Sequence, residues 1–288
     1  MKILKVIGLI AVFVSISSSI YAQGRRALVI GVGEYKDPAW DRINADNDIN
    51  YVTDMLGDFH FDDVTVLRNS QATKQSITRA FDSLCNRSDK GDIIYIHFSG
   101  HGQRVKDLDG DEEDGYDESW VPYDAYNECC AEDRGEKHLI DDEVHQMLSS
   151  LRSKVGEEGQ ILVLVDACHS GKSTRALNGE QPEYVCRGAR NEFVPTDVLS
   201  IDTSVTEDWI LLSACEDYQV NSELRKPRVG KLTYCMYLLR AELPLLSNDE
   251  LIDRLADMME SADMLGPFPQ NPCYSGNYIK YMVRNIFN

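Results

Sequence analysis

Short apolar runs alternate along the chain with stretches in which apolar residues recur every three or four positions. The first pattern is typical of buried strands, and the second of helices that bury one face. Strands are predicted over residues 26–32, 64–67, 92–98, 160–166 and 209–212, and an alternating pattern near the end adds 278–283. Helices are predicted over residues 44–58, 73–87, 141–152, 231–242 and 247–261. Strands separated by helices form a mostly parallel sheet with helices on both faces, so we predict an α/β fold.

The first 22 residues have the pattern of a secretory signal peptide. Lys2 and Lys5 precede an apolar run over 6–16, and the small residues that follow end at Ala22, before a plausible cleavage point. We therefore predict a signal peptide over 1–22 and a secreted or periplasmic protein. The alternative is an uncleaved membrane anchor, although the run is shorter than the ~20 residues usual for a span. Residues 23–288 contain no Pro/Gly-rich linker and no repeat, which predicts a single domain.

Acidic residues outnumber basic residues by 48 to 29, which gives a formal net charge of −19 over 288 residues. Nucleic acid is therefore not an expected partner, and no membrane partner is expected once the signal peptide is removed. Much of the charge is local, because sixteen acids and four Lys or Arg lie between Arg104 and His145. We interpret 104–138 as an acidic loop, which either is simply solvated or binds a hard cation such as calcium. The protein is expected to be a monomer.

Two predicted strands run directly into residues with catalytic chemistry. The strand at 92–98 is followed by Ser99-Gly100-His101-Gly102, and the strand at 160–166 by Ala167-Cys168. Parallel neighbours would bring His101 and Cys168 to the same edge of the sheet, where sites of open α/β sheets lie. A Cys/His pair can act as nucleophile and proton carrier, and the N–H groups of Gly102 and Cys168 could hold an oxyanion. The alternative is that the cysteine is a small buried apolar residue and the histidine is structural.

Residues 96–103 and 165–171 resemble the paired signatures of caspase-like cysteine peptidases, and more specifically those of metacaspases. Further similarity lies in residues 31–35, 109–124, 212–219 and 230–234, so that the resemblance extends over about 25–283. It implies a three-layer α/β/α sandwich with a six-stranded, mostly parallel sheet. It also implies a cysteine-type endopeptidase (EC 3.4.22) that cleaves after Arg or Lys.

The resemblance assigns roles to individual residues. His101 and Cys168 match the catalytic dyad, and Asp48, Asp166 and Ser99 match the pocket for the basic side chain. Asp46 could take the place of Asp48, because the local spacing is ambiguous. Two carboxylates beside a groove would in any case favour a guanidinium or ammonium group and repel an acidic side chain.

The chemistry itself requires no cofactor, but the resemblance implies Ca²⁺ as an activator. The calcium-binding acids of the family match Asp117, Asp141 and Asp142, whereas a further family acid falls on Arg175 in this chain. The connector over 172–207 contains basic residues at which an Arg/Lys-specific peptidase could cut its own chain: Lys172, Arg175, Arg187 and Arg190. Two rival hypotheses stay open, namely a related peptidase with another specificity and an inactive module that binds cations or basic proteins.

Overall fold

The computed structural model describes residues 23–108, 110, 112–169, 184–196, 206–261, 264, 266 and 268–288. Its strands are β1 Arg25–Gly31, β2 Asp63–Arg68, β3 Ile93–Ser99, β4 Gly102–Lys106, β5 Tyr116–Trp120, β6 Leu139–Ile140, β7 Gln160–Asp166, β8 Ile210–Ser213, β9 Glu223–Arg225, β10 Arg228–Gly230 and β11 Cys273–Gly276. Its helices are α1 Ala45–Asp58, α2 Lys74–Arg87, α3 Asp141–Val155, α4 Lys231–Leu238, α5 Asn248–Met259 and α6 Arg284–Phe287. The signal peptide predicted over 1–22 and much of the predicted connector lie outside the described residues.

The central sheet has six strands in the order β11-β8-β7-β3-β1-β2. All neighbours pair in parallel except β11, which runs antiparallel to β8. Apolar residues on one face pack against α1, α4, α5 and α6, and those on the other pack against α2 and α3. The predicted α/β/α sandwich with a six-stranded, mostly parallel sheet is therefore confirmed.

The register of the central strands sets up one edge of the sheet. Gly31, Ser99 and Asp166 stand level with one another at the carboxyl ends of β1, β3 and β7. All seven residues of β3 are buried, because helices cover both of its faces, which explains its mainly apolar sequence. Chemistry-bearing residues just beyond these strands therefore meet at the same edge.

Two predicted elements differ from the structure. The strand predicted at 278–283 is wrong, because the sixth strand is β11 and the chain turns after it. The side chain of Asn248 holds that turn, donating to the carbonyl oxygens of Tyr278 and Tyr281 and accepting from the N–H of Val283. The region predicted as an acidic loop, 104–138, is also partly regular, because β4 and β5 form an antiparallel hairpin within it.

Two further features concern the helices and the cysteines. Within the described part of the chain, no helix combines the length and apolar character that crossing a membrane requires. All eight cysteines lie within the described residues, and no two of them are joined by a disulfide.

Candidate active site

His101 and Cys168 each lie two residues beyond the end of a central strand. His101 follows β3 and Cys168 follows β7, and these two strands are hydrogen-bonded neighbours. Both residues are 2% exposed. The structure thus brings the two predicted catalytic residues to one edge of the sheet and buries both.

The imidazole of His101 is held in one orientation. Its Nε2–H donates to the backbone carbonyl of Asp41 at 2.8 Å, and its ring packs against the rings of Tyr35 and Trp40. The Tyr35 hydroxyl accepts from the backbone N–H of His101 at 2.7 Å. Because Nε2 carries the proton, Nδ1 has the lone pair, and this atom is buried without a hydrogen-bond partner among the described residues.

Burial also sets the charge of this imidazole. It lowers the pKa of His101 to about 4, although the backbone carbonyl of Asp41 acts in the opposite direction. The ring is therefore neutral at pH 7, as a group that accepts a proton from a thiol must be. The thiol of Cys168 donates to the carbonyl of Gln219, with Sγ and oxygen 2.9 Å apart.

Two backbone N–H groups beside Cys168 converge on one oxygen atom. The N–H groups of Gly102 and Cys168 donate to the carbonyl oxygen of Arg187, at 3.0 and 3.2 Å. A side chain at position 102 would bring a Cβ within 2.6 Å of the carbonyl oxygen of Cys168, so only glycine fits here. These are the donors that the sequence predicted for an oxyanion, and they are arranged as an oxyanion hole requires.

The guanidinium of Arg187 lies in a buried acidic pocket, which we call the arginine pocket: Asp48, Ser99, Asp166 and Glu223. Nη1 of Arg187 lies 2.6 Å from Asp48 and 3.2 Å from Asp166. Its Nε and Nη2 donate to Oε1 of Glu223 at 3.1 and 3.0 Å. Ser99 donates its hydroxyl to Asp48 at 2.7 Å and accepts from Nη1 at 3.3 Å. All four charged side chains are at most 1% exposed.

The charges in the arginine pocket depend on one another. Burial would raise the pKa of Asp166, but the Arg187 guanidinium and hydrogen bonds from Asn221 and Thr233 lower it. Burial raises the pKa of Asp48 to about 6, because the nearby charge of Asp166 adds to burial and Arg187 offsets only part of the effect. The pocket therefore holds a surplus of negative charge even with one guanidinium inside it.

The structure also separates the two candidate acids of the first helix. Asp48 projects into the arginine pocket from α1, whereas Asp46 accepts a 3.4 Å hydrogen bond from Asn69 and lies near Arg42. Of the two candidate acids, Asp48 therefore lies in the arginine pocket and Asp46 lies outside it.

The backbone around Arg187 is extended and bound on both sides. The N–H of Arg187 donates to the carbonyl of Asn221, and the N–H of Glu223 donates to the carbonyl of Val185, both at 2.9 Å. Beyond Arg187, the N–H of Ala189 donates to the carbonyl of Gly102 at 2.9 Å. Residues 185–189 therefore lie as an added strand between the start of β4 and the residues leading into β9.

A family model described as the caspase domain matches residues 24–280. The chain belongs to the caspase-domain family. The family membership predicted from the signatures around His101 and Cys168 is therefore confirmed.

Metacaspases are among the curated relatives of this caspase domain. Metacaspase-1B from Aspergillus fumigatus is 36% identical over 157 residues, which make up 51% of this chain and 35% of the relative. Metacaspase-1 from Sclerotinia sclerotiorum is 36% identical over 157 residues, or 33% of its length. The matched region thus spans about a third of the length of these relatives.

Solved structures agree on the fold. A crystal structure of a protein from Geobacter sulfurreducens aligns with a TM-score of 0.61 and 23% identity, over 88% of this chain and 92% of that one. Caspase-1 from Spodoptera frugiperda aligns with a TM-score of 0.59 and 11% identity, over 88% of this chain and 87% of the other. These neighbours confirm the predicted caspase-like architecture.

Glu223 is the one acid of the arginine pocket that the sequence did not point to. It opens β9, and its carboxylate also accepts from the backbone N–H and the side-chain amide of Asn44. The only sequence signal is alternation, since Asn221 and Glu223 share one side of an extended stretch, and Asn221 donates to Asp166 at 2.8 Å. Nothing in that alternation identifies the side facing the pocket.

A second group of acids in the caspase domain lies where β5 faces the start of α3. We call Asp117, Glu118, Asp141 and Asp142 the acidic cluster; it contains the three predicted calcium ligands. Burial raises the pKa of Asp141 to about 8, and the charges of Glu118, Asp142 and Asp117 add to the effect. Burial likewise raises the pKa of Glu118 to about 7, with Asp217 and Glu112 contributing.

The acidic cluster is not an assembled metal site. Oδ1 of Asp141 is buried without a hydrogen-bond partner among the described residues. Across the described ranges, however, no three Asp, Glu, His or Cys side chains come together closely enough to hold a metal ion. Arg175, which stands where the family has a further acid, lies outside the described residues. The cluster therefore has the charge that a hard cation requires but not the converged geometry.

Proposed function

We propose that this caspase domain is a cysteine endopeptidase that cleaves peptide bonds after Arg or Lys. The position of Arg187 carries the proposal. Its guanidinium lies among three buried carboxylates, while its carbonyl oxygen accepts from the N–H groups of Gly102 and Cys168. A peptidase holds the residue before the cleaved bond by just such a combination of side-chain pocket and oxyanion hole.

The arginine pocket favours arginine over other residues. Nε, Nη1 and Nη2 of the bound guanidinium all find acceptors, and a lysine ammonium presents only a single point charge. Lysine should therefore be accepted less well, by about tenfold. An acidic side chain would add a further negative charge to the surplus already present and should be excluded.

The proposed chemistry uses the thiol of Cys168 and the imidazole of His101. The thiol turns from Gln219 and gives its proton to Nδ1 of His101, and Sγ bonds to the substrate carbonyl carbon. The resulting oxyanion is held by the N–H groups of Gly102 and Cys168. The carbon–nitrogen bond then breaks, and the imidazolium gives its proton to the departing amine. Water hydrolyses the thioester and restores the thiol.

A panel of fluorogenic peptides that differ only in the residue before the bond tests this proposal. We expect kcat/KM for Arg to exceed that for Asp by ~10³-fold or more, because a buried polar site strongly rejects a mismatched partner. Cys168→Ala should abolish turnover. A preference for a non-basic residue would support a related peptidase of other specificity. Failure of any peptidyl electrophile to label Cys168 would support a binding module without catalysis.

Self-processing in the connector over 172–207 is part of the same proposal. Arg187 and Arg190 lie in its described part, and an enzyme that cleaves after basic residues would accept them as substrate. Intact mass spectra of the wild type and Cys168→Ala, recorded over time, test it. We expect fragments only from the wild type, and two unchanging masses would contradict self-processing.

We also propose that calcium binds at the acidic cluster through Asp117, Asp141 and Asp142. The buried, unsatisfied oxygen of Asp141 and its raised pKa support the proposal, since a cation would relieve both. Binding would require these side chains to move closer together than they lie here, and the bound ion would then neutralise the carboxylates and hold β5 against the start of α3. β5 pairs with β4, which begins at Gly102. An ion that holds β5 in place would therefore also help to hold the N–H group of Gly102 in the oxyanion hole.

Thermal unfolding with millimolar calcium and with chelator tests binding without relying on turnover. We expect calcium to raise both the unfolding temperature and the activity of the wild type. In Asp141→Asn, calcium should change neither quantity. Asp253→Asn, an exposed acid on α5, is the matched control and should respond as the wild type does. Equal unfolding temperatures in calcium and chelator would exclude the site.

Export and a monomeric state complete the proposal. The signal pattern over 1–22 supports export, and expression of the full chain with N-terminal sequencing would show whether the mature protein begins at Gln23. Light scattering of the purified protein would show whether it is a monomer. Exported protein that still begins at Met1 would contradict cleavage of the signal peptide. A mass twice that of the chain would contradict the monomeric state.

A further inference from the structure

We infer that His97 is a positioning residue of the arginine pocket, which acts through two hydroxyl groups. Its single imidazole N–H holds the hydroxyls of Ser99 and Thr233 in the orientations in which each donates to one acid of the pocket. This inference rests on the proposed function, and it adds a buried layer beneath the pocket to the selection of arginine over lysine.

His97 lies in the middle of β3, on the face of the sheet that packs against α1 and α4. Its neighbours in register on the adjacent strands are Val29 and Leu164, and all three side chains are fully buried. A buried imidazole costs free energy unless its polar atoms are hydrogen-bonded. An apolar side chain like those of the two neighbours would fill the place without that requirement. The histidine therefore needs an explanation beyond packing.

A line of hydrogen bonds runs along this face of β3 and ends in the arginine pocket. Alternate residues of a strand share one face, and here they are Tyr95, His97 and Ser99. The hydroxyl oxygen of Tyr95 lies 3.3 Å from Nδ1 of His97, and Nε2 of His97 lies 2.9 Å from the hydroxyl oxygen of Ser99. The hydroxyl of Ser99 in turn reaches Oδ2 of Asp48 at 2.7 Å.

The direction of these hydrogen bonds follows from the acid at their end. Burial raises the pKa of Asp48 only to about 6, so at pH 7 its carboxylate is mainly ionised and accepts the one hydroxyl proton of Ser99. Nε2 of His97 must therefore donate to Ser99, and Nδ1 must accept from the hydroxyl of Tyr95. Burial lowers the pKa of His97 to about 3, which leaves the ring neutral with a single proton, as this arrangement requires.

The same N–H group also faces Thr233, which serves the second acid of the pocket. The hydroxyl oxygen of Thr233 lies 3.5 Å from Nε2 of His97 and donates to Oδ2 of Asp166 at 2.7 Å. The backbone N–H of Thr233, in the first turn of α4, donates to the same carboxylate oxygen at 2.9 Å. Asp48 lies farther from this hydroxyl, at 3.3 Å. One imidazole N–H thus faces two hydroxyl oxygens, and each hydroxyl donates to a different acid.

Fixed hydroxyl protons also fix the lone pairs that remain for the bound side chain. Ser99 donates to Asp48 and accepts from His97, so its remaining lone pair faces the guanidinium. Nη1 of Arg187 lies 3.3 Å from that oxygen. A guanidinium donates in fixed directions and needs acceptors placed to match, whereas an ammonium group rotates toward the acceptors that it meets. Loss of orientation in the pocket should therefore weaken the binding of arginine more than that of lysine.

The experiment compares the full-length wild type with His97→Leu and His97→Gln. Leucine fills the place as Leu164 does in the next strand and has no N–H, whereas glutamine carries an amide N–H near the place of Nε2. Each protein is assayed with two fluorogenic peptides that differ only in Arg or Lys before the cleaved bond, and the ratio of the two kcat/KM values is measured. Any contact of the protein's own Arg187 with the pocket affects both peptides alike, so it cancels from this ratio.

We expect His97→Leu to lower the Arg/Lys ratio by at least ~3-fold, through a higher KM for the Arg peptide, while kcat changes by less than about twofold. KM should change because the two hydroxyls orient the pocket for the side chain and do not touch the reacting carbonyl. His97→Gln should keep the ratio within about twofold of that of the wild type. A merely structural role would lower turnover of both peptides alike, and glutamine would not restore the ratio.

His138→Leu is the matched control, because it removes another fully buried imidazole by the same substitution. Nε2 of His138 lies 2.8 Å from Oε1 of Gln103, outside the arginine pocket. This variant should keep the Arg/Lys ratio of the wild type. A fall in the ratio as large as that in His97→Leu would overturn the inference.

A smaller change keeps the inference testable if His97→Leu does not fold. Tyr95→Phe removes one oxygen atom, the donor to Nδ1, so the imidazole proton is no longer held at Nε2 and Ser99 loses its fixed orientation. We expect the Arg/Lys ratio to fall by about twofold. Tyr281→Phe, at another buried tyrosine, is the control and should not change the ratio.

The outcomes separate this inference from the proposed function. An unchanged ratio in His97→Leu and Tyr95→Phe, or equal losses for both peptides, would overturn the role of His97 and leave the proposed specificity standing. A fall in the ratio that His97→Gln shares would also overturn it, because the shape of the site and not its N–H would then be decisive. A wild type without preference for basic residues would instead overturn the proposed function.

Discussion

The arginine pocket and the acidic cluster both bury carboxylates close together, but among the described residues a guanidinium is buried with them only in the pocket. In the pocket, the chain supplies its own cation, and Arg187 with its neighbouring donors lowers the pKa of Asp166. In the cluster, burial and mutual repulsion raise the pKa of Asp141 to about 8. The number of acids is therefore a poor guide to what such a region does. A buried guanidinium lowers the pKa of Asp166, whereas burial still raises the pKa of Asp48 to about 6 beside the same guanidinium.

The comparison predicts that the pocket, and not the cluster, governs turnover directly. Asp166→Asn should lower kcat/KM for Arg peptides by ~10²–10³-fold, because a buried charge partner of the substrate is lost. Asp141→Asn, assayed in chelator, should change it by less than about threefold. Steady-state kinetics on the processed enzymes measures both. Similar losses from the two variants would remove the distinction between the regions.

The same contrast should appear in stability, with opposite signs. Arg187→Gln in a Cys168→Ala background should lower the free energy of unfolding by about 3 kcal/mol, because it leaves buried carboxylates unpaired. Asp141→Asn in that background should raise it at pH 8, since it removes a charge that lacks a matching cation. Denaturant unfolding at pH 8 measures both, and a stabilised Arg187→Gln would contradict the account of the pocket.

The pH dependence of stability sharpens the contrast further. The pKa of Asp141 is raised from 3.8 to about 8, so the folded state keeps a proton that the unfolded state loses in this window. Stability from this group is therefore fully present below about pH 4 and lost as the pH rises toward 8. The advantage of Asp141→Asn over the wild type should grow across that range, by the order of 1 kcal/mol, since the coupling is shared among several acids. Thermal unfolding in chelator at pH 5 and pH 8 measures it; a constant difference would contradict the raised pKa.

The smallest expected signal is proton release on calcium binding. Because the pKa of Glu118 is about 7 and that of Asp141 about 8, a cation at the cluster must displace protons at pH 7. Calorimetric titration in buffers of different ionisation enthalpy should report release of about one proton per ion. Binding without proton release would place calcium elsewhere in the molecule.

Most of the fold and the two central site residues could be predicted because they depend on local patterns. Burial on both faces makes β3 and β7 mainly apolar runs, and parallel pairing then brings His101 and Cys168 to one edge. The strand predicted at 278–283 failed because alternation also fits a turn whose polar groups are capped by Asn248, thirty or more residues earlier. That capping is invisible to a pattern read along the chain.

The contents of the pocket could not be predicted for a related reason. Glu223 and Asp48 are 175 residues apart in sequence, and they meet only after α1 and β9 are packed together. Arg187 could be named as a basic residue in the connector, but its insertion between these acids depends on the whole edge of the sheet being built. The resemblance pointed to Asp48 but left Asp46 open as a substitute, and the orientation of α1 distinguishes them.

The hydrogen bond from Nε2 of His101 to the carbonyl of Asp41 has a consequence for genetics. The acceptor belongs to the backbone, so every amino acid at position 41 supplies it. A scan of amino-acid substitutions would therefore show that position 41 tolerates change, although its carbonyl oxygen orients the imidazole of His101. Shortening the loop between β1 and α1 by one residue should reveal it, because that change withdraws the carbonyl itself. The position of this carbonyl therefore depends on the length and path of the loop, and not on which side chain stands at position 41.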